Sequence, residues 1–165
     1  MVTKMCIAAA NYLIQKTNAY NSGKAYSERI SMTCKRLQKL LYFCEVQFMV
    51  NNNGQSMLTD DFYAWPSGPV IPAVYKKFVQ FQSGEMYPLD GEHSKLTTQM
   101  VKVLDFIFES TTDIDTYDLV EMSHIKNGPW HRVYNESDVN HEQIISKNSM
   151  FDFYKSRNIF GSNGI

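Results

Sequence analysis

Apolar residues recur at helical spacing in three long stretches of this chain, and polar breaks separate the stretches. Residues 4–19 carry one apolar stripe, and a second stripe begins after Ser31 or Thr33 and continues to about Val50. A serine or threonine there can cap a helix, because its side-chain oxygen accepts a bond from an unpaired backbone N–H. Residues 95–110 are apolar over a wide arc, which indicates deep burial. The pattern predicts three long helices, with the second at the centre of the fold.

Three shorter segments also have helical spacing, and a fourth can form one further turn. Proline suits the first position of a helix because its missing N–H would be unpaired there. Asp113 or Asp115 can cap the segment that ends near Ile125. These four segments start at or next to Pro72, Thr116, Pro129 and Ser146. Residues 158–165 have few apolar anchors, so we expect a mobile tail there.

A proline-punctuated stretch, residues 61–79, interrupts the helical pattern. Each proline fixes φ at about −65° and lacks an N–H, and each moves the preceding residue toward extended geometry. The marked residues of this stretch are Trp65, Pro66, Gly68, Pro69 and Pro72. We predict a stiff extended crossing, with Trp65 buried beside it, that feeds a short helix. A polyproline II docking peptide is the alternative, which the flanking aromatic residues make less favourable.

Length and composition are sufficient for one core. The chain has 165 residues, of which 44% are hydrophobic and 13% aromatic. We therefore predict a mainly α fold: a single compact multi-helix domain over residues 1–157, with about six helices. The Pro/Gly-rich crossing adds at most one or two short strands.

Charge and cysteine content narrow the classes of partner. The formal net charge of −1 gives no general attraction to nucleic acid or anionic lipid. No apolar run approaches the roughly 20 residues of a membrane span, and the first residues are too mixed for a signal peptide. Cys6, Cys34 and Cys44 are odd in number and lack CxxC spacing. We expect reduced, buried thiols in a cytoplasmic protein.

Candidates for catalysis and metal binding are few. His124 and His131 lie seven residues apart, whereas zinc ligands on one helix are usually about three to five apart. We expect these histidines to bond neighbouring backbone carbonyls instead. Cys44 lies on the apolar stripe of the second helix, which favours packing over nucleophilic chemistry. We predict no catalytic residue, no metal and no cofactor.

Basic residues form one modest cluster. Lys35, Arg36 and Lys39 lie on the second long predicted helix, and Lys76 and Lys77 lie on the short predicted helix that starts at Pro72. Such a stripe can meet phosphates or an acidic protein surface, and a solvated helix face explains it more simply. A DNA-binding regulator that uses the helix with Lys35, Arg36 and Lys39 is our alternative function, which the near-neutral charge makes the second choice.

Three blocks of residues occur in an order and spacing that resemble the Panacea domain family. The blocks are Leu37-x-Lys39-Leu40-Leu41-Tyr42-Phe43, then Ala64-Trp65-x-x-Gly68-Pro69-Val70 with Val74-Tyr75, then Leu119-Val120-Glu121-x-x-His124 with Pro129-Trp130. The Trp-x-x-Gly-Pro-Val block is the most specific of them. The resemblance covers about residues 5–155.

The resemblance implies a mostly helical, non-enzymatic domain of bacteria and prophages. SocA-like antitoxins and GepA-like phage-associated proteins are members, and many are thought to neutralise a toxin by direct binding or to deliver it to a protease complex. The expected partner is therefore a cognate toxin, and the oligomeric state stays open. The family offers no catalytic set, so its motif residues transfer as scaffold: Trp65, Gly68, Pro69, Val70, Pro72, His124, Pro129 and Trp130.

Aromatic and cationic side chains dominate the binding energy of protein interfaces. Residues of these types neighbour one another in and beside the motif blocks. As partner-binding residues we predict Lys39, Tyr42, Tyr63, Tyr75, Lys76 and Arg132.

Overall fold

The computed structural model describes residues 3–81, 85–91 and 93–161. Its helices are α1 (Lys4–Asn21), α2 (Cys34–Asn51), α3 (Pro72–Phe78), α4 (Thr98–Ser110), α5 (Thr116–Ser123), α6 (Pro129–Val133) and α7 (Lys147–Tyr154). Its strands are β1 (Phe62–Trp65), β2 (Gly68–Val70) and β3 (Ile144–Ile145), and short 3-10 turns cover Tyr26–Glu28 and Val79–Phe81. The prediction of a mainly α fold is confirmed.

Helix α2 is the central element, as the sequence pattern predicted. It contacts α1, α3, α4, α5, α7 and β2, and every residue from 36 to 46 is buried. Thr33 caps its start by accepting a bond from the Arg36 N–H (3.1 Å). Asn53 and Gly54 follow its end with positive φ angles of 53° and 89°. Asparagine and glycine tolerate this left-handed geometry, so they end the helix cleanly.

Side-chain caps begin most of the other helices. Thr3 caps α1, Thr97 caps α4, and Ser146 caps α7, each by accepting a bond from the backbone N–H three residues on. Asp115 rather than Asp113 caps α5 (2.8 Å to the Asp118 N–H). The predicted starts at Pro72 and Pro129 are confirmed, and in both helices the proline occupies the first turn.

The predicted crossing is a β-hairpin. Strands β1 and β2 pair antiparallel, with Tyr63 opposite Val70 and Trp65 opposite Gly68. Strand β3 pairs with the other side of β1, so the order of the sheet is β2-β1-β3. The described residues form three short strands where we expected at most two, because Ile144–Ile145 has too few residues to show a strand pattern. Trp65 is half-buried rather than buried.

The apolar core contains residues from every α-helix, including α6, and from the inner side of the sheet. Cys6, Cys34 and Cys44 are buried free thiols, as predicted. Within the predicted tail, the Phe160 ring packs edge-on against Phe43 (5.4 Å between centroids), and residues 162–165 lie outside the described residues. None of the described helices combines the length and apolar content that a membrane span requires.

Candidate functional site

Side chains from separate motif blocks meet where the hairpin lies against α2 and α5. Lys39 of α2 is fully buried, and its Nζ donates a hydrogen bond to the Pro69 carbonyl of β2 (2.7 Å). The neighbouring Gln38 Oε1 accepts from the Ile71 N–H (2.8 Å). Two consecutive side chains of α2 thus bond the outer edge of β2.

This arrangement explains why a proline is tolerated in β2. An edge strand exposes backbone groups that invite further pairing, and proline is confined to such edges because it lacks an N–H. At Pro69 only the carbonyl needs a partner, and Lys39 supplies the donor. The side chains of α2 therefore cover the strand edge that another strand would otherwise pair with.

Gly68 allows the close approach of the three elements. Its φ is +104°, and a Cβ at this position would lie 2.6 Å from Ser123 Oγ and 2.7 Å from Lys39 Cε. Ser123 is itself fully buried and donates to the Val120 carbonyl (2.7 Å). Backbone conformation and space both require glycine here. We refer to Gln38, Lys39, Gly68, Pro69 and Ser123 as the hub.

The third motif block fastens the other strand of the hairpin. Trp130 of α6 donates its indole N–H to the Trp65 carbonyl (2.8 Å). The Trp130 ring stacks on His124, with centroids 3.6 Å apart and planes 6° apart, and on Tyr134 at 4.6 Å. Pro129 starts α6 and is buried. The block thus builds an aromatic stack that supports β1.

The electrostatics of the hub are unusual. Burial, together with the nearby charge of Lys35, lowers the pKa of Lys39 to about 7. The ion pairs of the described residues do not include Lys39. Burial also lowers the pKa of His124, and Glu121 opposes that shift while Lys39 adds to it. The His124 Nε2 is buried and has no hydrogen-bond partner in the described part of the chain.

Aromatic side chains lie on the outward face of the hairpin. Tyr63 and Trp65 share that face because side chains alternate along a strand, and both are half-buried. The Tyr75 ring of α3 contacts the Trp65 ring at 5.4 Å. Lys76 follows Tyr75 and is exposed, and Arg132 is exposed on α6, two residues after Trp130. We call Tyr63, Trp65, Tyr75, Lys76 and Arg132 the hairpin surface.

Two predicted partner-binding residues are interior residues instead. Lys39 lies in the hub, and Tyr42 is fully buried, with its ring edge-on to Phe62 (5.4 Å) and to Tyr154 (6.2 Å). Neither side chain can contact a partner of the folded protein. Both are interior because α2 is surrounded by other elements, so it has almost no outward face.

The basic residues predicted on α2 do not form an exposed face. Both the solvated face and the DNA-binding face expected there are therefore wrong. Arg36 is buried, and its guanidinium donates to the carbonyls of Thr111 and Ile114 (both 2.8 Å). Those carbonyls follow the end of α4. Of the three basic residues predicted on α2, only Lys35 is exposed.

The described residues contain no group of three or more His, Cys, Asp or Glu side chains with metal-site geometry. The His131 Nδ1 accepts a bond from the Asn127 N–H (3.2 Å), rather than bonding a carbonyl as expected. Burial raises the pKa of the Cys44 thiol well above its usual range, which disfavours a nucleophilic thiolate. What the hub and the Trp130 stack can do is hold the hairpin in place, so that its outward face is available for binding.

Gln38 and Ser123 are the residues that the sequence patterns missed. Each directly precedes a motif residue, Lys39 or His124, and that adjacency was the available signal. The remaining predicted scaffold residues, Val70 and Pro72, come shortly after Pro69; Val70 is buried and Pro72 is in the first turn of α3.

The sequence matches the family model described as antitoxin SocA-like, Panacea domain, over residues 37–131. Antitoxin SocA of Caulobacter vibrioides (strain NA1000 / CB15N) is 29% identical over 149 residues, which cover 81% of this chain and 72% of that relative. No solved structure matches the chain. The hub and Trp130 lie entirely within the matched range.

Proposed function

Because this chain belongs to the SocA-like Panacea domain family of antitoxins, we propose that it neutralises a cognate toxin by binding that protein directly through the hairpin surface. The observation that carries this proposal is the convergence of the motif residues beneath an aromatic surface. The hub and the Trp130 stack fix the hairpin from below and from the side, and Tyr63, Trp65 and Tyr75 lie on its outward face. A rigid aromatic surface binds at low entropic cost.

The side chains of the hairpin surface favour a particular partner chemistry. Tyrosine and tryptophan, with arginine, are the residue types that most often anchor protein interfaces. Lys76 and Arg132 are exposed cations that lie close in sequence to Tyr75 and Trp130. We therefore infer a toxin surface with an apolar centre and carboxylates around it, so that opposite charges meet across the interface.

The alternative of DNA binding has little support, since two of its three proposed contacts, Arg36 and Lys39, are buried. Delivery of the toxin to a protease complex requires the same binding step and is compatible with the same surface. The free, buried cysteines fit the cytoplasm as the compartment.

Co-expression with the protein encoded by the neighbouring open reading frame tests the function. We expect that protein to arrest growth when expressed alone, and this chain to restore growth and to co-purify with it. A neighbouring product that is harmless alone and never co-purifies would contradict the antitoxin function.

Charge reversal tests the surface. The double variant Lys76→Glu/Arg132→Glu should lose at least about tenfold in affinity for the same protein, since like charges then oppose its carboxylates. The control Lys95→Glu/Lys102→Glu makes the same charge change at exposed lysines elsewhere and should bind like the wild type. Equal binding by both variants would remove the hairpin surface from the proposal and leave the antitoxin function standing.

Restoration of growth only in cells that have an active protease would indicate the adaptor mechanism. Restoration in protease-deficient cells would indicate direct neutralisation. Both readouts use the unmodified chain and the same neighbouring product.

A further inference from the structure

We propose that Lys39 is a positioning residue for the hairpin surface: its buried amine holds the Pro69 carbonyl and thereby keeps β2 seated on α2. The proposal rests on the proposed function in one respect only, namely that the seated hairpin is the form that binds the toxin. The seating itself is a property of this chain alone and can be measured without any partner.

Within the described residues, few side-chain hydrogen bonds hold the hairpin to the rest of the protein. On the β2 side they join Lys39 to Pro69 and Gln38 to Ile71. On the β1 side, the Trp130 indole bonds the Trp65 carbonyl, and the backbone of β1 also pairs with β3 and bonds the Gln143 carbonyl. Of these side chains only Lys39 changes charge in an accessible pH range, so it is the one whose hold on the hairpin can vary.

Among residues 3–81, 85–91 and 93–161, no opposite charge lies close enough to the Lys39 amine for an ion pair. Lys35 and Arg36 are the charged groups near it on α2, and Glu121 and His124 lie at the end of α5. Strand β2 contributes only the Pro69 carbonyl, since Gly68, Pro69 and Val70 have no ionisable side chain. A charged amine in this position is paired with a neutral acceptor, and a buried cation with no counter-charge is costly.

The two charge states of Lys39 therefore favour different positions of the hairpin. When β2 is seated, burial holds the pKa of Lys39 at about 7, so the amine is neutral above that pH. If β2 separates from α2, the amine reaches water and its pKa returns to about 10.4. Opening then takes up a proton between those two values, so seating becomes up to about tenfold more favourable for each pH unit gained. Below about pH 7 both forms are protonated and the dependence ends.

Hydrogen–deuterium exchange of the free chain tests the proposal. We would measure protection factors for amides of residues 62–71 at pH 7 and pH 8, corrected for intrinsic exchange, in wild type and Lys39→Met. Wild type should gain up to about tenfold in protection over this pH unit, and Lys39→Met should gain less than twofold. His124→Phe removes the nearby imidazole while keeping an aromatic ring against Trp130; whatever its overall protection, its gain from pH 7 to pH 8 should match that of wild type.

Protection of residues 62–71 that does not change with pH in wild type would overturn the proposal, and so would a change that persists in Lys39→Met. If Lys39→Met does not fold, the wild type and His124→Phe still decide between the outcomes. Because no toxin is present, failure here leaves the antitoxin function untouched, and a harmless neighbouring product leaves the role of Lys39 untouched.

Discussion

Helix α2 has two fully buried charged side chains, Lys39 and Glu45, and their surroundings are opposite in kind. Each side chain holds a neighbouring backbone segment against the helix. The Glu45 carboxylate accepts bonds from the N–H groups of Met57 (3.2 Å) and Leu58 (2.7 Å), as well as one from the Ser56 hydroxyl. Lys147 of α7 lies 3.2 Å from it as the counter-charge. In the described part of the chain, Lys39 bonds one carbonyl and has no counter-charge.

This difference means that the attachment made by Glu45 is permanent, whereas the attachment made by Lys39 depends on the charge state of its amine. Removing one partner of a buried, hydrogen-bonded ion pair is expensive. A buried amine whose only partner is a neutral carbonyl can lose its proton instead. Glu45 therefore fixes the chain where it approaches the hairpin, whereas Lys39 holds the far strand of the hairpin with a strength that varies with pH.

The largest effect is expected from Glu45→Ala. This change leaves Lys147 without its counter-charge and the Met57 and Leu58 N–H groups without acceptors, so it should lower the free energy of unfolding by about 3–5 kcal/mol. Urea unfolding measures the loss. The control Glu109→Ala, at an exposed position of α4, should stay within about 0.5 kcal/mol of wild type. Similar losses in both variants would contradict the role given to Glu45.

The next effect tests how tightly the hub is packed. Gly68→Ala combines a positive φ with a Cβ 2.6 Å from Ser123 Oγ, and should cost about 2–4 kcal/mol. Gly23→Ala is a matched control, since Gly23 has φ +77° but no atom within 4 Å of the added Cβ. The difference between the two variants isolates the crowding. Equal losses would mean that the hub is not crowded.

A smaller effect tests the charge state of Lys39 through global stability. Its pKa is lowered on folding, so the unfolded chain binds more protons between about pH 7 and pH 10. Stability should therefore rise with pH in that window, by at most about 1.4 kcal/mol per pH unit from this group. Lys39→Met should remove that part of the slope. An unchanged slope in urea unfolding at pH 7, 8 and 9 would contradict the unpaired character of Lys39.

The smallest effect is expected at Asp60, a half-buried charge that has more hydrogen-bond partners than Lys39 but is less buried than Glu45. Burial acts to raise its pKa, but hydrogen bonds from Cys6 and Thr3 lower it overall. Asp60 accepts from the Thr3 N–H (3.0 Å) at the start of α1. A lowered carboxyl pKa contributes stability above about pH 4 that disappears as the pH falls. Asp60→Asn should cost less than about 1 kcal/mol at pH 7, and the cost should shrink toward pH 3 in thermal unfolding.

Local patterns were sufficient to predict the helices. Cap residues such as Thr33 and Asp115, and prolines at Pro72 and Pro129, place helix starts through interactions within a few residues. The hairpin was predicted only as an extended crossing, because Pro66 and Pro69 interrupt the alternation typical of strands and the other partner of β1, β3, lies far along the chain. Pairing over such distances leaves little trace in local spacing.

The site was predicted in part. The motif blocks included Lys39, Gly68, Pro69 and Trp130, but spacing alone put Lys39 on the surface because lysine is almost never fully buried. Tertiary contacts reverse that expectation. Helix α2 is enclosed by other elements, and Gly68, with its positive φ and no side chain, leaves the space that the amine needs. Ser123 contributes through a contact from a third element, which no stretch of sequence reveals by itself.

One measurement tests the central claim most directly: the hydrogen-exchange footprint of this chain in complex with the protein from the neighbouring reading frame. We predict slowed exchange in residues 62–76 and 129–134, which contain the hairpin surface, with little change in α1. Slowed exchange confined to other regions, such as the exposed face of α5, with unchanged exchange in the hairpin, would contradict the claim that this surface binds the toxin.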